Sequence, residues 1–549
     1  MKSKTVAAAA FLAALAASLP GTAHALIGED SPLQLRGAIA DALQRMASSP
    51  LGDAIQAEIA ALARDDGTFA GDAAGVAAFY EANGYQPVWF ADGTMTAAAR
   101  AAIARIRGAA ADGLDPSAYA LPVVGNTTSV ASVAAREIRM SLAVVAYTRE
   151  AYAGRLDPRA LNANLDITPH LPDAVAALAN VSSADDAAAA LDAYNPTHPG
   201  YIALRDELAR IRGAAADERI VVPEGPTLRL GSSGERVTIL RARLDLPAPV
   251  EGAEIFDESL DVAVRDFQAA NGLITDGVVG PNTLGALNGP AIDPVGEIIA
   301  NMERYRWLPR DLGEFYVQVN VPEYMLRVFR DGVVIHETRV VTGLRSHQTP
   351  IFSDEIEHVI VNPYWNVPAS IIAEEYYAML RSDPGYFNRA AFDVWVRWEG
   401  RTHHVDPVTI DWSQISPSMI SMRQRPGNGN ALGRVKFMFP NNHAVYLHDT
   451  PSKSLFDRDA RAFSHGCVRV MNPMDFADVL LMDEPGWDAA ALEALYGPNE
   501  RQVDLTHHIP VHITYFTAVV DENGNIQFRN DVYGHSALVR AALGLAPNT

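Results

Sequence analysis

Near residue 295 the hydrophobic pattern of this 549-residue sequence changes period, and that change decides what kind of fold the chain can adopt. Upstream, apolar residues recur at helical spacing in long Ala-rich stretches. Downstream, residues 315–321 and 325–329 alternate between apolar and polar, as a half-buried strand does. Asp331-Gly332 then leads into 333–335 and 338–341, and Asp-Gly between β-rich runs is a hairpin signal. Further strands are expected at 356–361, 435–439, 444–447 and 511–517. Helices first and strands later predict a multidomain α+β chain, and the length allows about three or four domains. With 48% hydrophobic and 20% charged residues, the composition is that of a globular protein able to bury a sizeable core.

The chain divides as follows. Residues 1–25 read as a secretory signal peptide: Lys2 and Lys4 precede a short apolar run, Pro20 ends it, and Ala23-His24-Ala25 suits a signal peptidase. The alternative is a membrane anchor, but the run is shorter than the about 20 residues a span needs. No later stretch is long and apolar enough to cross a bilayer, so no span is expected after cleavage. Residues 26–69 are an Ala-rich helical arm, and 70–222 a helical scaffold region punctuated by Asp115-Pro116 and Asp157-Pro158, which are turn or helix-start signals. No catalytic cluster is evident there.

Residues 226–290 form a compact module of three helices, carried by Val237, Leu240 and Leu244, then Leu260, Val264 and Phe267, then Leu284 and Leu287. The β-rich domain runs over 295–535. Within it the strand pattern lapses over 371–423, which is read as an insertion able to cap a groove, the plainer alternative being surface decoration. Residues 536–549 are left as a C-terminal tail.

The formal charge of −22 disfavours general binding to nucleic-acid phosphates. The sequence contains one cysteine, Cys467. Exported proteins usually pair their cysteines, so a single one is either an inert buried thiol or a reactive one. Its surroundings decide: Ser464-His465-Gly466-Cys467-Val468-Arg469 follows His448 by a short polar loop. Acyl transfer by a thiol needs access to the thiolate, a base within reach and donors facing an oxyanion. Cys467 and His448 can supply the first two, and a turn at Gly466 can expose consecutive backbone N–H groups for the third. Arg469 adds positive charge for the thiolate or for a substrate carboxylate. His465 either orients the loop or takes part directly, while His443 is read as structural. A zinc site built from His443, His448, His465 and Cys467 matches no familiar spacing.

These residues resemble the active-site motif of the L,D-transpeptidases, matched at His448, Ser464, His465, Gly466, Cys467, Arg469 and Asn472. Residues 447–451, 433–437, 362–368 and 424–427 extend the resemblance to the large, YcbB-like branch, over about residues 70 to 535. The 226–290 module resembles the peptidoglycan-binding-like domain at Gly234, Val237, Leu240, Phe267, Gln268, Asp276, Gly277, Gly280 and Thr283. The resemblance implies a helical scaffold domain, a peptidoglycan-binding-like domain and a mostly β catalytic domain with a capping insertion. It implies an exported, periplasmic enzyme without metal or organic cofactor, whose partners are peptidoglycan stem peptides and other cell-wall synthesis enzymes.

Cys467 would form an acyl-enzyme from a donor tetrapeptide stem with loss of D-Ala, and a diaminopimelate amine would resolve it to a 3→3 cross-link. His448 would act as base, and carbapenems would acylate the same thiol. Ser464, Arg469, Asn472, Tyr446 and Trp365 are the expected substrate contacts. Hydrolysis, D-amino-acid exchange and attachment of a protein amine through the same thioester remain alternatives, as does a wall-binding scaffold with little activity.

Overall fold

The computed structural model describes residues 49–62, 70–123, 129–213, 220–247, 249, 251–288 and 293–545. The proposed signal peptide and most of the 26–69 arm lie outside the described residues; the part of the arm that is described contains the helix Pro50–Leu62. The chain separates into two compact units.

The first unit comprises 1–108, 116–148 and 172–192. It is helical, as the Ala-rich periodicity predicts, with helices at Ala70–Ala82, Ala97–Arg107, Ala174–Ser183 and Ala187–Asp192. Thr96 and Asp173 cap two of these by accepting backbone N–H bonds. Its polar anchor is Glu137, wholly buried, which accepts bonds from the N–H groups of Val88, Trp89 and Phe90 and from the Tyr80 hydroxyl. Burial pushes its carboxyl pKa up, while those donors hold it down.

The second unit comprises 109–115, 149–171 and 193–549. Residues 149–171 and 193–213, read from sequence as part of the helical scaffold, pack within this unit. Helix Pro199–Gly213 contributes Tyr201, Leu204 and Leu208 to a cluster with Ile298, Ile299 and Met302 of helix Pro294–Trp307.

The expected C-terminal tail is integrated over its described part. Residues His535–Ala542 form a helix with His535, Ser536, Val539 and Arg540 buried. Ser536 Oγ bonds to buried Glu297, and Arg540 lies 3.7 Å from that carboxylate. Apolar anchoring joins the polar, with Val539 buried in the main core and Leu543 packed against it.

The three-helix module has helices at Glu235–Arg243, Glu258–Ala270 and Pro281–Asn288. They enclose a core of Val237, Leu240, Phe256, Leu260, Val264 and Leu287. Gln268 is buried at its centre. Its amide nitrogen lies 2.9–3.0 Å from Asp276 Oδ1, the Val278 carbonyl and Thr283 Oγ1, and its carbonyl accepts from Gly277 N–H at 2.8 Å. Gln268→Leu should therefore destabilise the module by about 2–4 kcal/mol, since it strands several buried partners. A separate early transition in thermal unfolding checks this, and an unchanged melt would refute it.

The β-rich domain contains β1 (Phe315–Asn320), β2 (Met325–Arg330), β3 (Val333–Gly343), β4 (Phe352–Val361), β5 (Trp365–Asn366), β6 (Phe392–Trp398), β7 (Arg401–Val405), β8 (Ile420–Gln424), β9 (Val435–Met438), β10 (Leu447–His448), β11 (Ala462–Ser464), β12 (Val468–Val470) and β13 (Arg501–Thr514). The main sheet runs β11–β3–β12–β10–β9–β4–β13–β1–β2, and β2 also pairs with β3. Eight strands thus form a closed cycle of pairings, leaving few free edges. The Asp331-Gly332 hairpin forms as expected, with both residues at positive φ and Arg330 opposite Val333. Val317, Val319, Leu326, Val328, Val359, Val361, Phe437 and Leu447 fill the core.

The strand expected at 444–447 is shorter and later. Ala444 has φ 54°, and the Asn441 side chain accepts the N–H of Val445 and donates to its carbonyl, so the extended run starts only at Leu447. The insertion has its own four-stranded sheet, β5–β8–β6–β7, and its own core including Trp365, Phe387, Phe392 and Trp412. Its helical segment is continuous from Ala369 to Ser382 with a π-helical stretch at Ile372–Tyr376. The sheet reaches back to Trp365, so it begins before the expected boundary at 371.

Candidate active site

The site lies where three short strands meet. β10 runs parallel to β12, with Leu447 opposite Val468 and His448 opposite Arg469. β10 is antiparallel to β9, with His448 opposite Lys436. The residue before β12 is Cys467. Strand pairing thus brings Cys467, His448, Arg469 and Lys436 to one locality from segments that are not adjacent in sequence.

The turn before the thiol is built to hold one shape. Gly466 has φ 109°, a conformation that strains any residue with a Cβ. Ser464 is buried; its hydroxyl donates to the Cys467 carbonyl at 2.5 Å and accepts the Gly466 N–H at 3.2 Å. Both of its bonds close the turn, so its observed role is structural rather than the expected substrate contact. The Gly466 N–H is consequently occupied, and the expected pair of free N–H groups is reduced to that of Cys467.

From the far side, buried Thr349 accepts from Gly343 N–H and donates to the Gly466 carbonyl at 2.8 Å. Tyr533 donates to the Gly343 carbonyl at 2.7 Å and accepts from Thr349 N–H. Leu344 N–H bonds to the Ser464 carbonyl. Thr349→Val should cost about 1–3 kcal/mol, because it leaves the Gly343 N–H and the Gly466 carbonyl unpaired. Acylation of Cys467 should slow as the turn loosens; paired melting and labelling measurements check both, and wild-type labelling in the variant would refute the second.

Cys467 is half-buried. Its Sγ lies 3.8 Å from the Ala444 carbonyl. Burial raises the thiol pKa, while the Tyr446 N–H and hydroxyl and the charges of Arg469 and Lys436 favour thiolate. His448 is buried, and its Nδ1 donates to its neighbour's carbonyl, that of Asp449, at 2.5 Å. A carbonyl can only accept, so this bond fixes the Nδ1–H tautomer and leaves the lone pair on Nε2. Burial, then the Arg469 and Lys436 charges, lower the His448 pKa to about 3. The imidazole is therefore a neutral acceptor near neutral pH.

Among the described residues no hydrogen bond joins His448 to the thiol. Such bonds are often long before substrate binds, so their proximity rests on strand pairing. Tyr446 adjoins both, hydrogen-bonded to Cys467 and with its ring 5.7 Å from that of His448 and 5.3 Å from Lys436 Nζ.

The other expected residues divide. Arg469 is close enough to influence the thiol. His465 is half-buried, with Nε2 3.0 Å from Glu375 of the insertion. Asn472 is exposed at the start of helix Pro473–Leu480, makes no side-chain capping bond there, and no hydrogen bond connects it to Cys467. Trp365 is buried in the insertion core against Tyr376 and Phe392, which makes it a packing residue rather than an open contact surface. His443 bonds through Nε2 to Asp166 at 2.7 Å, consistent with a structural histidine. Lys436, Thr349 and Tyr533 received no site role from sequence. Lys436 had a signal, since alternation in Val435–Met438 puts it on the face opposite buried Val435 and Phe437.

Residues 314–487 match the family described as L,D-transpeptidase catalytic domain, residues 233–287 that described as "Putative peptidoglycan binding domain", and residues 74–208 that described as scaffold domain. A protein of Haemophilus influenzae named "Putative L,D-transpeptidase" is 34% identical over 249 residues, which are 45% of this chain and 49% of that protein. The chain thus spans about half the length of the curated relative it matches.

Among solved structures, an L,D-transpeptidase from Stackebrandtia nassauensis is 14% identical over 54% of this chain and 96% of its own, with a TM-score of 0.21. One from Mycobacterium smegmatis is 14% identical over 37% and 58%, with a TM-score of 0.19. The chain therefore carries, over residues 314–487, a match to an L,D-transpeptidase catalytic domain and, over residues 233–287, a match to a putative peptidoglycan binding domain.

Proposed function

We propose that this protein is a peptidoglycan L,D-transpeptidase that works through a cysteine acyl-enzyme. The observation that carries the reading is the pairing of β10 with β12, which sets a neutral, Nδ1-protonated His448 beside the strand that follows Cys467. His448 Nε2 takes the thiol proton as sulfur attacks the carbonyl that joins diaminopimelate to D-Ala in a donor tetrapeptide. The Cys467 N–H and the Arg469 and Lys436 charges face the negative charge that develops. The C–N bond breaks, the proton passes to the leaving amine, and D-Ala departs. An amine of a second stem then attacks the thioester, His448 accepts its proton, and a 3→3 cross-link forms with the thiol regenerated.

Capping of the groove by the insertion is supported by its own core and by Glu375 meeting His465. A signal-like N-terminus and cell-wall domains support work outside the cytoplasm, in the periplasm. Among the described residues no helix is long and apolar enough to cross a membrane.

The test is incubation of the protein with disaccharide tetrapeptides, followed by mass spectrometry. Dimers linked 3→3 with stoichiometric free D-Ala are expected. Tripeptide monomers alone would make the enzyme a carboxypeptidase, and no reaction would refute the proposal.

A further inference from the structure

Next to the turn that carries the thiol, three separate segments bring metal-ligating side chains together. His347 comes from the loop after β3, His465 from the turn before Cys467, and Glu374 from the π-helical stretch Ile372–Tyr376 of the insertion. One ligand atom from each lies within 4.8 Å of the other two. The two imidazole rings are 4.7 Å apart and tilted by 52°. His347 Nε2 is 3.3 Å from Glu374 Oε2, and its Nδ1 is engaged by Ser346 Oγ at 3.0 Å, which orients Nε2 toward the cluster. His465 Nε2 is 3.0 Å from Glu375 Oε1, so a second carboxylate adjoins the first.

Two imidazoles and a carboxylate, with one position left open, are a ligand set that Zn2+ takes readily. Tetrahedral bonds of ordinary length would bring the ligand atoms to about 3.4 Å from one another, a small contraction from the observed spread. Glu374 is exposed and both histidines are part-exposed, so the side chains can make that adjustment and an ion has a path in. Oxygen-preferring cations fit less well, because two of the three ligands are imidazole nitrogens. The π-helical stretch matters too: such stretches inside α-helices recur at functional sites.

We propose that His347, His465 and Glu374 form a Zn2+ site, separate from the catalytic chemistry, that clips the insertion onto the turn carrying Cys467. Binding withdraws the His465 ring from other partners and ties residues 372–376 to the turn two residues before the thiol. Zinc is therefore a brake: the clipped form admits substrate or carbapenem to Cys467 more slowly. The site itself is independent of the transpeptidase reading; the brake rests on it.

The experiment uses the whole chain without a polyhistidine tag, titrated with ZnCl2 by calorimetry. Cys467→Ser protein serves as background, so that thiol binding is excluded. One zinc per chain is expected, weakened by at least about tenfold in His347→Gln and separately in Glu374→Gln. Folding of each variant is checked by its melting curve, and two surface substitutions on different segments guard against loss of fold in either. Absence of stoichiometric binding in the Cys467→Ser background, or binding unaffected by both variants, overturns the site. In the Cys467-containing protein, stoichiometric zinc should slow carbapenem labelling, EDTA should restore it, and His347→Gln protein should be insensitive. Zinc bound without slower labelling overturns the brake. Absence of labelling in metal-free protein refutes the catalytic reading and leaves the site standing.

Discussion

Cys467→Ser is expected to lower acylation and cross-link formation by about 10^4-fold or more, with the fold intact. The reason is the state of the pair at rest. His448 is neutral and a weak base, so the more acidic thiol gains far more from its assistance than a serine hydroxyl would. The oxygen variant keeps size and shape, and Cys467 is only half-buried, so stability should change by less than about 1 kcal/mol. Intact mass after carbapenem exposure gives the first readout, and dimer yield from disaccharide tetrapeptides the second. Peptide mapping should place the adduct on Cys467 and nowhere else. An adduct or dimers from the serine variant at near wild-type rate would remove Cys467 from the mechanism.

Rare residue types in order make His448 and Cys467 the sequence's candidates for the site, and the structure sets His448 on the strand paired with the one that follows Cys467. The mechanics of the turn are not legible in sequence. Thr349 holds Gly466 across a separation of 117 residues, and Tyr533 holds Gly343 across 190, through contacts that no local pattern announces. Ser464 is visible in the motif, but a hydroxyl at such a turn reads equally as a substrate donor or as the turn's closure, and both of its bonds here close the turn. Trp365, expected as a substrate contact, lies in a second hydrophobic core in the insertion that no local pattern announces.

The division into helices and then strands held because periodicity is a local property. The packing of 149–171 and 193–213 with the second unit did not show, since it depends on which helix face meets which partner. The C-terminal helix docks through both Glu297 and the apolar core around Val539, contacts that join it to segments far away in sequence.

His448→Gln should reduce acylation by about 10^2–10^4-fold, and its pH profile should differ in kind from wild type. The His448 pKa is lowered to about 3, so the ring is deprotonated, and able to accept a proton, at any pH well above that value. The Cys467 pKa is raised, so thiolate is scarce at neutral pH. These two shifts have the same consequence: the resting pair is thiol and imidazole, not thiolate and imidazolium. Transfer to His448 then occurs during attack, and the wild-type rate should be nearly flat from about pH 5 to about pH 8, with no limb near the ordinary histidine value of about 6.5. Without the imidazole only preformed thiolate reacts. The rate in His448→Gln should therefore climb about tenfold per pH unit until the thiol titrates. Stopped-flow carbapenem acylation across that range compares the two. A wild-type limb near 6.5 would mean that His448 is charged in the free enzyme and that an ion pair, not general-base transfer, prepares the nucleophile.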